Sequence, residues 1–188
     1  MSGMGKSWSV PVFCAMMAIA GLAQAQPYAG QSIVLDGESV QFSIRAFAPG
    51  ANIVDPSVPL EPNSALNTAK LLELHLSTGS AEEAALLSNA PRRRFEVLQE
   101  YQASVGDDSF RQVYTEYFES RNRVVAEVTI GEHSLLVWHL RDPNRYAGQY
   151  YVRIEGRTLM DDVPSLERAR LRRILEAIRT GRLPLPPQ

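Results

Sequence analysis

Apolar and polar positions change period along the chain, and each change predicts a different element. Between 31 and 47 they alternate around Asp36-Gly37, with Ile33 and Leu35 before the pair and Val40, Phe42 and Ile44 after it. Alternation marks strands, and Asp-Gly supplies the positive φ angles of a tight turn, so the spacing predicts a β-hairpin. Residues 48–63 carry Pro49, Gly50, Pro56, Pro59 and Pro62, which predicts an extended loop. Helical spacing starts near Ser64 and runs through Leu66, Ala69, Leu72 and Leu76 to Thr78-Gly79. Ser80-Ala-Glu-Glu83 matches a capping box and predicts a short second helix through Leu87.

Asn89-Ala-Pro91 breaks that helix, and Phe95, Leu98, Tyr101 and Val105 continue at helical spacing to Gly106. After Asp107-Asp108, acids that favour a helix start electrostatically, Phe110, Val113, Tyr114, Tyr117 and Phe118 form an apolar stripe expected to face the core. The period then falls to two. Val124, Ala126, Val128 and Ile130 are expected to share one face, Gly131 to Ser134 to turn, and Leu136, Trp138 and Leu140 to line the return strand. Tyr150, Val152 and Ile154 follow, and Glu155-Gly156 turns into residues 158–160, so a meander with one buried face is expected. A last helix starts at Pro164-Ser165, with Leu166, Ala169, Leu171, Ile174, Leu175 and Ile178 expected inside, and Gly181 and Pro184 end it. Segregated helices and strands make an α+β fold: helices packed on a curved antiparallel meander sheet, plus an N-terminal hairpin and a C-terminal helix.

The front of the chain is different in kind. Lys6 precedes a run at 10–22 without any charge, which ends at Ala23-Gln24-Ala25. A basic start, an apolar centre and small residues at a cleavage point are the order of a secretory signal peptide. The run is shorter than the roughly 20 apolar residues that cross a bilayer. The expected organisation is therefore a signal peptide at 1–25, the hairpin and Pro-rich loop at 26–63, one α+β domain at 64–183 and a short tail at 184–188. Cleavage after Ala25 removes Cys14, the one cysteine, so the exported protein is expected to rely on its apolar core and not on disulfides. Export to the periplasm or the medium is the expected location. No later apolar run reaches membrane length.

Composition narrows the chemistry. The 188 residues are 45% hydrophobic and 21% charged, which excludes collagen-like, low-complexity and wholly disordered chains. A net charge of −2 argues against nucleic acid as a partner. The three histidines, His75, His133 and His139, have no metal-ligand spacing, so neither metal nor cofactor is expected. Asp107-Asp108 and Asp161-Asp162 are not dyads, because adjacent side chains diverge; capping and turn roles are expected instead. Serine-nucleophile and phosphate-loop motifs are absent from the sequence.

Two sets of residues remain. Tyr114, Tyr117, Trp138, His139, Tyr146 and Tyr150 are candidates to line a ligand pocket, since tyrosine and tryptophan bring apolar area with a polar tip. All but Lys6 and Lys70 of the 19 basic residues are arginines. They cluster at Arg92-Arg93-Arg94 and again at Arg168, Arg170, Arg172, Arg173, Arg179 and Arg182. Arg92, Arg93, Arg94, Arg168 and Arg172 are candidates to meet an anionic partner, an acidic protein or lipid headgroups, against the plainer reading of solvated helix faces with Glu96 compensating the first cluster.

From 64 to 162 the chain resembles the nuclear-transport-factor-like superfamily, the cystatin-like α+β roll. The carriers are Leu72-Glu-Leu-His-Leu-Ser-Thr-Gly-Ser-Ala-Glu-Glu-Ala-Ala-Leu-Leu87, similar to the family's first helix, glycine turn and short second helix, and Tyr150-Tyr-Val-Arg-Ile-Glu-Gly-Arg-Thr-Leu-Met-Asp-Asp162, similar to its closing strands. The hairpin before Ser64, the central helix around Phe110 and the long last helix depart from that pattern. The resemblance implies a conical cavity between helices and sheet, used in different members for catalysis, for ligand binding and for assembly. Two functions are thus expected: an exported binding or accessory module of the bacterial envelope for a small apolar ligand or a protein, with homo-oligomers compatible, or a cofactor-independent isomerase or dehydratase. The second requires His139 or an aspartate to converge with Tyr150 or Tyr114.

Overall fold

The computed structural model describes residues 29–187 apart from 56, 118 and 120, with the side chain of Tyr117 also outside the description. The expected signal peptide, with Lys6 and Cys14, lies outside the described residues. The architecture is α+β. Strands β1 (Ala29–Leu35) and β2 (Glu38–Ala46) form the hairpin, followed by helices α1 (Ala65–Ser77), α2 (Ala81–Ala85), α3 (Pro91–Val105) and α4 (Asp107–Tyr117). Strands β3 (Arg123–Ile130), β4 (His133–Leu140), β5 (Arg145–Ile154) and β6 (Arg157–Met160) complete the sheet, and α5 (Leu166–Arg179) closes the chain.

All six strands belong to one antiparallel sheet in chain order. Asp36 and Gly37, at φ 52° and 82°, make the β1–β2 turn as their residue types predict. Because β2 pairs with β3 through Ser43↔Thr129 to Ala46↔Ala126, the hairpin is an integral edge of the sheet and the four helices are an excursion between adjacent strands.

The sheet is buried on both faces, where the alternating pattern predicts one. Leu72, Leu76, Leu98 and Phe110 from the first four helices pack on one face against Val124, Leu136, Trp138 and Tyr151. Leu171, Ile174, Leu175 and Ile178 of α5 pack on the other, against Phe42, Val128, Leu135 and Val137. Alternation failed as a guide because β3 and β4 are apolar on both sides: five consecutive residues of β3 are buried. At Gly148 an added Cβ would stand 2.7 Å from side-chain carbons of both Leu135 and Leu175, so a missing side chain is what lets α5 approach the sheet this closely.

Local corrections have local causes. A bulge between Val124 and Ala126 puts Val124 opposite Trp138 and Ala126 opposite Val137, so Val124 faces the α1–α4 layer while Ala126 and Val128 face α5. The β3–β4 turn is only Gly131-Glu132, and His133 and Ser134 already pair as strand. Leu166 and Ala169 point outward from α5, whose buried set is Leu171, Ile174, Leu175, Ala177 and Ile178. The capping box at Ser80 does not form: Ser80 makes no side-chain cap and its hydroxyl meets that of Thr78 at 3.2 Å. Ser64 and Ser165 do cap, accepting from the Asn67 and Arg168 amides at 3.2 and 3.1 Å.

An arginine cleft and an adjoining apolar pocket

Both arginine-bearing helices emerge from one knot of hydrogen bonds. The chain between α2 and α3 is tied to the end of β6: the Met160 amide donates to the Leu87 carbonyl at 2.7 Å and the Asn89 amide to the Met160 carbonyl at 3.0 Å. Asn89 Nδ2 donates to Asp161 Oδ1 at 2.9 Å, while its Oδ1 accepts from the Asp162 amide at 2.8 Å. Pro91 then starts α3 on one side of the knot, and Ser165 caps α5 on the other. Asp161 and Asp162 diverge as adjacent residues must. Asp161 Oδ2 meets His133 Nδ1 at 2.9 Å, while Asp162 receives both Nε and Nη2 of Arg94 at 2.8 Å and the Ser88 hydroxyl at 2.7 Å.

This junction brings the two arginine clusters to one place. Arg93 and Arg94 of α3 and Arg168 and Arg172 of α5 line a cleft of about 340 Å³, with Val97, Asp162 and Pro164 as the rest of its wall. Four guanidiniums face one carboxylate, and Asp162 is already taken by the fork of Arg94. Among the described residues no carboxylate lies within ion-pair distance of Arg93, Arg168 or Arg172. Arg168 stacks its guanidinium 5.6 Å from the centre of the Tyr150 ring, and its Nε is buried without a hydrogen-bond partner. Burial pushes the Tyr150 phenol up, while Arg172, Arg179 and Arg168 pull it back down.

Three neighbouring arginines, by contrast, are neutralised. Arg170 and Arg173 on the neighbouring flank of α5 bond Glu38, and Arg173 also faces Asp36 at 3.5 Å. The two arginine hydrogen bonds hold the partly exposed Glu38 carboxyl below its usual range. Arg92, a candidate to meet an anionic partner, is exposed and pairs with Glu96 at 3.1 Å.

Arg94 also borders a second space. Leu72, Leu76, Leu98, Tyr114 and Met160 enclose, with Gln149 and Arg94, a mainly apolar pocket of about 140 Å³ between the α1–α4 layer and the sheet. Gln149 is fixed there, because its Oε1 accepts from Trp138 Nε1 at 3.0 Å and from the Tyr151 hydroxyl at 2.9 Å. Burial raises the Tyr114 phenol, and its ring meets Phe110 and Tyr101 edge-on at 5.0 and 6.5 Å.

The aromatic candidates do not share one pocket, because the sheet divides them. Tyr114 lines the apolar pocket and Trp138 lies fully buried beneath it. His139 and Tyr146 pair across β4 and β5 on the α5 side, with ring centres 5.4 Å apart. There they line an open groove of about 650 Å³ with Asn144, Arg145, Glu176 and Arg179. Tyr150, on that same side, pairs with Leu135 and meets the arginine cleft through Arg168. The pocket lined by Tyr114 holds no histidine or aspartate, His139 Nε2 is engaged with Asn144 Oδ1 at 2.7 Å, and both Asp161 oxygens are occupied. No acid–base pair of the kind the isomerase reading requires is assembled by these groups. Among the described residues no three His, Cys, Asp or Glu side chains group to hold a metal ion, and no helix is long and apolar enough to cross a membrane.

Sequence reasoning named every arginine of the cleft but missed Val97, Asp162 and Pro164, and missed Leu72, Leu76, Leu98, Gln149 and Met160 around the apolar pocket. A signal existed for Asp162 alone, as a polar residue beside a helix start; the others read as ordinary helix and strand positions. Compared with protein-family models, curated proteins and solved structures, the chain matches none, so its own geometry carries the functional reading.

Proposed function

We propose that this protein is an exported binding module of the cell envelope whose ligand places a small apolar group in the pocket between α1, α3, α4 and the sheet. One observation carries the reading: the enclosure by Leu72, Leu76, Leu98, Tyr114 and Met160, with Gln149 and Arg94 as the polar contacts. At about 140 Å³ it suits a group the size of a benzene ring, since an apolar cavity of roughly that volume stays dry and takes such a ligand. A cavity between helices and sheet is also what the resemblance to the nuclear-transport-factor-like superfamily implies. The expected function is binding and not catalysis, because no histidine or aspartate joins Tyr114 and Arg94 at the pocket. The export half of the reading rests on the order of charge, apolar run and small residues at 1–25.

Titration of the full chain with toluene, followed by the backbone amide shifts of Leu72, Leu98 and Tyr114, tests the pocket. Saturable shifts are expected in the natural protein and none in Leu98→Phe, which fills the space. Absence of saturation, or the same response in the filled variant, would overturn it. For export, the protein recovered outside the cytoplasm is expected to begin at Gln26; recovery only in the cytoplasm with Met1 retained rejects that half.

A further inference from the structure

Like charges brought together on two separate helices repel, and an isolated surface has no reason to keep them so. In this chain the neutralising acids exist but stand elsewhere. Glu38 and Asp36 serve Arg170 and Arg173, and Glu96 serves Arg92, leaving Arg93, Arg168 and Arg172 around a cleft whose single carboxylate is already saturated by Arg94. The N-terminal ends of α3 and α5 border the same cleft, and their dipoles add positive potential to it.

We propose that this cleft binds a terminal phosphoryl group, in a small phosphate monoester or a phosphomonoester lipid headgroup such as that of phosphatidic acid. The number and placement of the donors decide the class of anion. A carboxylate has two oxygens and is met by one guanidinium fork, as Asp162 is by Arg94. Arg93, Arg168 and Arg172 approach from two helices and exceed what one carboxylate accepts. A phosphoryl group presents up to three terminal oxygens and as much as about two negative charges at neutral pH. Arg168 supplies the donor already in place: its Nε is buried with no partner, its guanidinium carbon is held 5.6 Å from the Tyr150 ring centre, and a buried donor of this kind is costly until an acceptor reaches it. The volume of about 340 Å³ and the walls of Val97 and Pro164 leave room for an organic remainder beside the anion. The inference stands apart from the apolar pocket, since neither site requires the other to be occupied.

Calorimetry of the full chain with sn-glycerol 3-phosphate at low salt, and co-sedimentation with phosphatidic acid against phosphatidylcholine vesicles, test it. Saturable binding to the soluble ester or to the phosphatidic acid vesicles is expected. In Arg172→Gln and Arg168→Gln that binding weakens at least about tenfold, the loss of roughly one charge-assisted hydrogen bond. Arg182→Gln removes the same charge outside the cleft and is expected to stay within about twofold of the natural protein. Val97→Glu, an exposed position, places a competing carboxylate in the cleft and should abolish binding while the thermal midpoint is kept. Binding to the ester assigns the site to soluble phosphates, and binding to vesicles alone assigns it to headgroups. The proposal is overturned if neither is bound, if only an acidic peptide is bound, or if Arg182→Gln loses as much as Arg172→Gln.

Discussion

Glu73 lies on α1, half-buried, with Oε2 shielded from water and without a hydrogen-bond partner. Burial pushes its carboxyl up from 4.5 to about 7, against the pull of Lys70 one turn away. The folded protein therefore holds a proton here that the unfolded chain has released. The stability tied to this group is complete below pH 4.5 and is lost as pH rises through 7, because the native state binds more protons over that window. Glu73→Gln is expected to flatten the fall of stability between pH 5 and 8 and to leave the variant more stable than the natural protein at pH 8. Urea unfolding at the two pH values reads this directly, and equal slopes in the two proteins would contradict it. Sequence reading passed over Glu73 because a glutamate on a helix is ordinarily solvated, and only the layer packed around α1 deprives it of water.

At the scale of elements, helix starts separate what short motifs say from what the chain does. Ser80-Ala-Glu-Glu83 fits the capping-box pattern better than Ser165 fits any motif, yet Ser165 caps and Ser80 does not. The Ser80 amide bonds the His75 carbonyl at 2.7 Å, finishing α1, and this places its φ at −82° and its ψ at 71°, outside the extended conformation that Ser64 and Ser165 adopt as caps. Ser165→Ala is expected to cost about 1 kcal/mol and Ser80→Ala less than about 0.5 kcal/mol, measured as shifts of the urea midpoint. A larger loss at Ser80 would show that its side chain supports α2 after all. The elements themselves were legible. The hairpin, four central helices, meander and last helix stand where periodicity, Pro91 and the Asp-Gly turn put them, since these signals are local. The bulge at Val124 was not legible, because one residue's slip in register leaves composition unchanged while it moves a side chain to the other face.

At the scale of the molecule the described residues form three layers, and among them α5 is the only helix on its side of the sheet. The second core therefore depends on a few side chains of α5. Leu175→Ala is expected to cost 2–5 kcal/mol, a large part of the roughly 5–15 kcal/mol that holds a domain of this size together. It should also loosen the sides of the arginine cleft carried by Arg168 and Arg172. Denaturant unfolding with near-ultraviolet circular dichroism reads both effects, and a cost below about 1 kcal/mol would mean that α5 is an appendage. At this scale the candidate site was legible only as two separate lists, one of arginines and one of aromatics. The arginines converge, because α3 and α5 start from the same knot at Asn89, Asp161 and Asp162. The aromatics part, because adjacent strand residues such as Trp138 and His139 point to opposite faces.

By itself the sequence determined the elements, the α+β class and the positions of charge, all set by neighbours a few residues apart: period, turn chemistry and composition. Tertiary structure alone decided that the sheet is covered twice, that Arg93 and Arg94 stand across a cleft from Arg168 and Arg172, and that Leu98, Tyr114 and Met160 enclose a pocket. Those facts depend on which distant segments pack together, and packing is a property of whole faces brought into contact, which no stretch of the chain carries on its own.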